Sequence, residues 1–387
     1  MKEIFQNLLG RKLPDYRFRP EQLAMAEAVD DVLKRCGHLV VEAPTGTGKT
    51  FAYLIPALKS GLKVVVSTGT RNLQEQLYYK DLPVLKSILG DDFSACYMKG
   101  RSNYLCYKRF LSNTRQGVLP GTYQAKIYSR INKWLEKTET GDRSELEFLP
   151  DKSPLWMEIC SRSELCDNQK CSHFRDCFIT RMKKRAYKSD LIVVNHHLFF
   201  ADLALKRGKY GQVIPDFDAV IFDEAHQLED TVTGYFGTTV SNYNLRELAG
   251  DCLKELSGND NKKAEETAGK LGNCSEAFFN IFFENPGKHK LQPLRKRTDL
   301  LEAVKKLLDK LELLVASLMA LPKVSEELQS CSRRALELHT NLKRIMTEDD
   351  PQYVYWYETR NKGVFLNISP IDVSETLKEN LYRQSQR

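Results

Sequence analysis

Leu39-Val40-Val41-Glu42-Ala43-Pro44-Thr45-Gly46-Thr47-Gly48-Lys49-Thr50 decides the fold. An apolar run leads into a glycine-bearing loop that closes on Lys-Thr, and helical spacing follows. The run reads as a buried strand over 39–42. Strand, loop and helix in that order are the setting in which Gly-x-x-x-x-Gly-Lys-[Ser/Thr] holds phosphate, here with Ala43 in the first glycine position. Gly46 and Gly48 let backbone N–H groups approach phosphate oxygens without a Cβ in the way. The helix from Lys49 to about Ser60 adds its positive end. The pattern therefore assigns Ala43, Pro44, Thr45, Gly46, Thr47, Gly48, Lys49 and Thr50 to a nucleotide. Lys49 reaches the β- and γ-phosphates, and the Thr50 hydroxyl ligates Mg²⁺.

Working outward, Lys63-Val64-Val65-Val66-Ser67, Leu191-Ile192-Val193-Val194 and Ala219-Val220-Ile221-Phe222 read as further apolar strands. Residues 20–35 carry Leu23, Ala26, Val29, Val32 and Leu33 at helical spacing, and Arg71 to Tyr79 reads as helix. Strands alternating with helices predict an α/β fold with a parallel sheet covered on both faces. Asp223-Glu224-Ala225-His226 follows the last strand, and ligands bind at the C-terminal ends of parallel strands. Asp223 is thus expected to hold Mg²⁺, Glu224 to polarise the attacking water, and His226 to couple the site to the rest of the molecule. With Lys49 these form the expected catalytic set. Arg19 and Gln22 lie just upstream. The Gln22 amide has the donor and acceptor an adenine edge requires, and an exposed glutamine at a helix start is an equally good reading.

The composition is that of a folded protein: 387 residues, 42% hydrophobic, with a net charge of +7 from 58 basic and 51 acidic residues. No apolar run has the length of a membrane span, and Met1-Lys2-Glu3-Ile4-Phe5 is not a secretory start. A cytoplasmic protein without a membrane partner is expected. Arg181, Lys183, Lys184, Arg185 and Lys188 form one basic cluster, and Lys288, Lys290, Arg295, Lys296 and Arg297 another. Beside a nucleotide-driven core both read as phosphate contacts.

Two segments break the rhythm. Residues 100–187 are irregular and rich in cysteine. Residues 228–360 show no strand-like run until Tyr353-Val354-Tyr355-Trp356-Tyr357, which with Gly363 to Ile368 is expected to rejoin the sheet. Between Leu300 and Met319 a stripe of Leu301, Val304, Leu307, Leu308, Leu311, Leu314 and Val315 predicts a packed helix, and Leu328 to Met346 a second. Of ten cysteines, Cys106, Cys166, Cys171 and Cys177 form the candidate metal set, the last three separated by four and then five residues. Those gaps are wider than usual zinc spacings and suit a larger cluster, yet spacing alone leaves zinc and iron–sulfur level. Cys160 competes for the fourth place. Cys36, Cys96, Cys252, Cys274 and Cys331 read as buried small apolar residues.

At this point the chain resembles the XPD-like superfamily 2 DNA helicases, in the bacterial DinG/YoaA branch. The likeness runs over nearly the whole chain. It rests on Glu42 to Thr50, Ser67-Thr68-Gly69-Thr70, Lys99-Gly100-Arg101-Ser102-Asn103-Tyr104-Leu105-Cys106, Val194-Asn195-His196-His197-Leu198 and Phe222 to Leu228. The resemblance implies a RecA-like P-loop NTPase motor domain over 1–99, 188–229 and 361–387. Into it are set an iron–sulfur domain over 100–187 and a helical arch over 230–360. It implies a 4Fe-4S cluster on Cys106, Cys166, Cys171 and Cys177 in preference to Cys160. It also implies ATP and Mg²⁺ as cofactors, and 5′-to-3′ movement on single-stranded DNA with forked or tailed duplexes as substrates. A role in repair or replication with an unidentified protein partner follows. Thr68, Thr70 and Gln74 match the segment that grips DNA.

Family members continue into a second motor domain with an arginine finger, and no Gln-x-x-Gly-Arg-x-x-Arg string occurs here. Such fingers are worth about a thousandfold or more in rate. The chain alone is therefore expected to bind ATP weakly, turn it over slowly and not unwind DNA. The rival reading is a non-motor DNA-binding iron–sulfur scaffold with regulatory ATP binding. A nuclease-coupled relative is set aside, because no Asp-x-Glu segment precedes residue 20.

Overall fold

The computed structural model describes residues 1–44, 46–90, 92–115, 122–150, 153–163, 166–207, 212–257, 262–321, 324–378 and 381. Thr45, expected at the nucleotide, lies outside the described residues. The chain divides into two compact units, one built on Met1–Thr231 and the other on Val232–Glu375.

The first unit holds a four-stranded parallel sheet in the order β2-β3-β1-β4, with β1 Val64–Thr68, β2 Ala95–Tyr97, β3 Leu191–Asn195 and β4 Ala219–Phe222. Its main helices are α1 Pro20–Arg35, α2 Lys49–Lys59, α3 Arg71–Gln76, α4 Leu82–Leu89, α5 Tyr107–Arg115, α6 Tyr123–Leu135, α7 Pro154–Ile159, α8 Phe178–Lys188 and α9 His196–Arg207, and α10 Leu228–Phe236 runs across the boundary into the second unit. Pro20 opens α1 at the position where its missing N–H costs nothing. Ala52, Leu54 and Ile55 of α2 are fully buried in a core with Val64 and Val66 of β1. Every residue of β1 is buried, as a central strand of β-branched residues should be.

The sequence expectation fails at 39–42. These residues form no strand, and Val40 is 96% exposed. An apolar run marks β preference, but a strand needs a partner ladder. Both edges of β1 are already taken, by β3 and β4. The outer edge of β4 has no partner among the described residues, and its residues are only half-buried.

The second unit combines α11 Asn242–Leu256, α12 Lys262–Asn280, α13 Thr298–Met319 and α14 Glu326–Thr347 with an antiparallel sheet in the order β5-β8-β7-β6. Its strands are β5 Thr238–Ser241, β6 Lys288–Lys290, β7 Tyr353–Arg360 and β8 Gly363–Pro370. The late strands therefore do not rejoin the parallel sheet. Phe365 of β8 pairs instead with Ser241 of β5 and Glu358 of β7. β5 and β6 went unpredicted because each is too short to show alternation. On α13 the buried stripe is Leu300, Val304, Leu307, Leu311, Leu314 and Leu318, spaced alternately by four and three. Leu301, one position along, faces solvent at 48% exposure.

Candidate nucleotide site

The site is assembled at the C-terminal ends of β1 and β4. Register sets Ser67 beside Phe222, and the Asp223 N–H donates to the Ser67 carbonyl at 2.8 Å. Asp223 thus leaves the sheet at a fixed height. Glu224 follows in the left-handed region at φ 59°, uncommon for a residue with a side chain and a mark of a constrained turn. On the other side Gly48, at φ 80°, caps α2, so the chain enters the helix at Lys49. The Lys49 ammonium donates to the Ala43 carbonyl at 3.2 Å and lies 3.9 Å from Glu224 Oε1. The phosphate loop and the acidic box, far apart in sequence, meet through this contact. His226 is exposed, with Nδ1 3.5 Å from Glu224 Oε2.

Two upstream residues strut the loop. Arg19 donates to the Gly46 carbonyl, and Gln22 Nε2 donates to the Gly48 carbonyl at 2.9 Å. Gln22 is 5% exposed, its oxygen accepts from Tyr16 Oη at 3.2 Å, and a Cβ at Gly48 would collide with its amide. The amide is engaged with the loop instead of lying open at a helix start. Thr47 Oγ1 donates to the Pro44 carbonyl at 2.9 Å, closing the turn.

Burial raises the Asp223 pKa above the ordinary carboxylate range, and the Glu224 charge adds to it. A hydrogen bond from Tyr53 and the Lys49 charge oppose the rise. Tyr53 Oη donates to Asp223 Oδ2 at 3.2 Å. Beneath the box, His196 is fully buried, its Nδ1 is 2.7 Å from Ser67 Oγ, and its Nε2 has no hydrogen-bond partner. Burial lowers its pKa to about 4, so the ring is neutral at pH 7. Sequence reasoning missed Tyr53 and His196. The signals were present: Tyr53 follows Thr50 by three positions on one helix, and His196 sits in the Val-Asn-His-His string.

Gln74, matched above to a DNA-gripping segment, is turned inward. It is fully buried, and its amide donates to the carbonyls of Met98 at 2.7 Å and Val193 at 3.1 Å. Thr68 is buried too, and exposed Thr70 caps α3. The basic clusters are likewise partly spent on structure. Arg295 donates to the Glu348 and Ile345 carbonyls at the end of α14, and Arg297 pairs with Glu284 and Asp299. Arg181 pairs with Asp176, Arg185 with Glu139, and Lys183 donates to the Gln212 carbonyl.

The cysteines are not gathered in this way. Cys106 and Cys177 directly precede α5 and α8; burial raises the Cys106 pKa, and Cys177 lies near enough for its charge to add to the rise. Cys166 and Cys171 flank a short 3₁₀ turn. Among the described residues no group of three or more His, Cys, Asp or Glu is disposed to hold a metal. The donor chemistry suits a cluster, but the four thiols do not converge. Cys160, the competitor, is fully buried, with its Sγ 3.7 Å from the Met157 carbonyl. Cys36, expected inside, is exposed where α1 ends in the left-handed region. Among the described residues no helix is long and apolar enough to cross a membrane.

A family model described as DEAD/DEAH box helicase matches residues 22–135. The ATP-dependent DNA helicase YoaA of Haemophilus influenzae is 36% identical over 96% of this chain and 58% of its own length. YoaA of Escherichia coli is 35% identical over 96% of the chain and 59% of its own. The protein named 3′-5′ exonuclease DinG of Bacillus subtilis is 31% identical over 60% of the chain and 25% of its own. The chain thus spans less than two thirds of the length of these relatives. Its phosphate loop and acidic box meet at the ends of a parallel sheet, and nearly its whole length aligns to YoaA, so the likeness of this chain is to the ATP-dependent DNA helicases of the YoaA/DinG kind.

Proposed function

We propose that this chain is the ATP-binding portion of a cytoplasmic 5′-to-3′ DNA helicase that draws on ATP hydrolysis to move along single-stranded DNA in repair or replication, with forked or tailed duplexes as substrates. The observation that carries the reading is the approach of Lys49 to Glu224 at 3.9 Å, with Asp223 alongside. Lys49, with the loop N–H groups, meets the triphosphate, and Thr50 and Asp223 hold Mg²⁺. Glu224 takes the proton of the attacking water, the role its neighbouring cation and αL backbone suit. Held by Thr50 and Asp223, Mg²⁺ would supply neutralisation of charge on the phosphoryl oxygens. Residues 100–187 form an iron–sulfur domain with its cluster on Cys106, Cys166, Cys171 and Cys177, and residues 230–360 an arch over the DNA.

The test is equilibrium binding of a fluorescent ATP analogue with Mg²⁺. Wild-type chain binds, and Lys49→Ala and Asp223→Ala lose binding. Equal affinity in all three proteins overturns the reading and favours a scaffold. Anaerobic purification with iron and sulfide analysis tests the cluster, and zinc in their place removes it. Displacement of streptavidin from one end of a single strand tests polarity; release from the 5′ end alone reverses the assigned direction.

A further inference from the structure

We propose that the solvent-facing side of the antiparallel sheet is a docking face for single-stranded DNA, with Trp356 as its stacking platform and Lys288 and Lys290 as its phosphate contacts. The inference rests on the DNA-translocating reading above and names a surface which that reading does not use. Strand alternation divides the sheet into two sides. Tyr355, Tyr357, Val364, Leu366 and Ile368 belong to the core beneath the helices. Trp356 and Glu358 of β7 and Phe365 of β8 alternate with them and lie on the other side, outside that core. There Lys290 stands opposite Trp356, and Lys288 opposite Glu358. All three residues of β6 are exposed.

The indole is anchored: its Nε1 donates to Ser369 Oγ on β8 at 2.9 Å. The Lys288 ammonium lies 4.2 Å from the centre of the Trp356 ring. On the same side the Phe365 ring is 6.0 Å from that of Tyr243, which is 44% exposed. Glu358, the carboxylate of this face, is matched by Arg360 at 2.7 Å. Neither lysine has an ion pair among the described residues. Unmatched positive charge beside aromatic rings is the combination that meets the phosphates of a single strand and stacks its bases. A base on an aromatic ring outweighs an exposed cation–π contact. A nucleobase therefore takes the place of the Lys288 ammonium on the indole, and the ammonium turns to that nucleotide's phosphate. Lysine on a short edge strand also guards against pairing with another chain, but that duty needs no anchored indole beside it.

The measurement is fluorescence anisotropy of a labelled oligothymidylate of about 15 nucleotides, over a series of salt concentrations. Trp356→Ala should raise Kd roughly tenfold, and Trp356→Phe, which keeps a ring, should restore most of the affinity. Lys288→Gln with Lys290→Gln should lower the slope of log affinity against log salt by about 1.4. A strand carrying 5-iodouracil, crosslinked by light, should label the peptide that contains Trp356. Affinity unmoved by Trp356→Ala overturns the proposal, as does a crosslink confined to the first unit. So does polyglutamate competing as well as DNA and responding to the lysines alone, which would make this a face for an acidic protein segment. Should Trp356→Ala melt below wild type, the lysine pair and the crosslink decide by themselves. Wild-type chain that binds no strand at any salt sinks the DNA-translocating reading together with this face, whereas binding indifferent to these residues sinks the face alone.

Discussion

At the nucleotide site Tyr53 reaches Asp223 and Lys49 approaches Glu224, although each pair joins distant segments. In the cysteine segment Cys106 and Cys177 come near each other, while Cys166 and Cys171 stay on the intervening irregular run without forming a metal-holding group. The sheet accounts for the contrast. Asp223 leaves a strand whose register with β1 is set residue by residue, and Lys49 opens a helix packed beneath that strand. Side chains at such points are placed by backbone hydrogen bonds and core packing alone. Thiols on a loop have no ladder to place them, and in metalloproteins the ligand itself supplies that ordering.

The sharpest way to break this comparison is Lys49→Ala. Truncating one partner of a close, buried charge pair costs about 2–5 kcal/mol, at least about thirtyfold, read as affinity for MgATP. A loss below about tenfold would mean the phosphate loop is not the site. Next, if the proposed cluster is held there, Cys106→Ser, Cys166→Ser, Cys171→Ser or Cys177→Ser should each lower the iron content while leaving MgATP affinity within about threefold, because the register of the sheet is set by its own backbone ladder. Cys160→Ser should retain iron. A collapse of nucleotide binding in the first four variants would show the two regions to be one folding unit. Gln74→Ala should lower stability by about 1–3 kcal/mol, since it strips the buried Met98 carbonyl of its donor and leaves the Val193 carbonyl with the Met98 N–H alone. Thermal melting reads the loss, and DNA affinity of the folded variant should not change. A weaker DNA complex at unaltered melting temperature restores the gripping role.

The smallest effect is at Asp190, whose carboxylate accepts from the Ser94 N–H and hydroxyl at 2.8 Å each and ties the start of β3 to that of β2. Those bonds hold its pKa below 3.8. A depressed folded-state pKa stabilises above the unfolded value and is lost as pH falls through the folded one. Asp190→Asn should therefore melt slightly below wild type at pH 7, the gap should begin to close as pH falls past 3.8, and the two should converge only below the depressed folded-state value. A difference that persists in acid would assign the loss to packing.

Chemistry was legible wherever a short string must present particular atoms. The phosphate loop, the acidic box and the α/β alternation all follow from residue type and spacing, and so does most of the stripe on α13. Partnership was not legible. Leu39 to Val41 has the composition of a strand and forms none, although the outer edge of β4 is unpaired among the described residues, and β7 and β8 belong to an antiparallel sheet with β5. Gln74 resembles a DNA contact in sequence and is an internal clamp in space, and Arg295 and Arg297 sit among basic residues yet hold a helix end and two carboxylates. Local propensity and motif chemistry are properties of a few consecutive residues, so the sequence alone determined them. Which edge a strand takes, which amide is buried and which two carboxylates meet one lysine depend on contacts between segments far apart, and only the packed fold decides those.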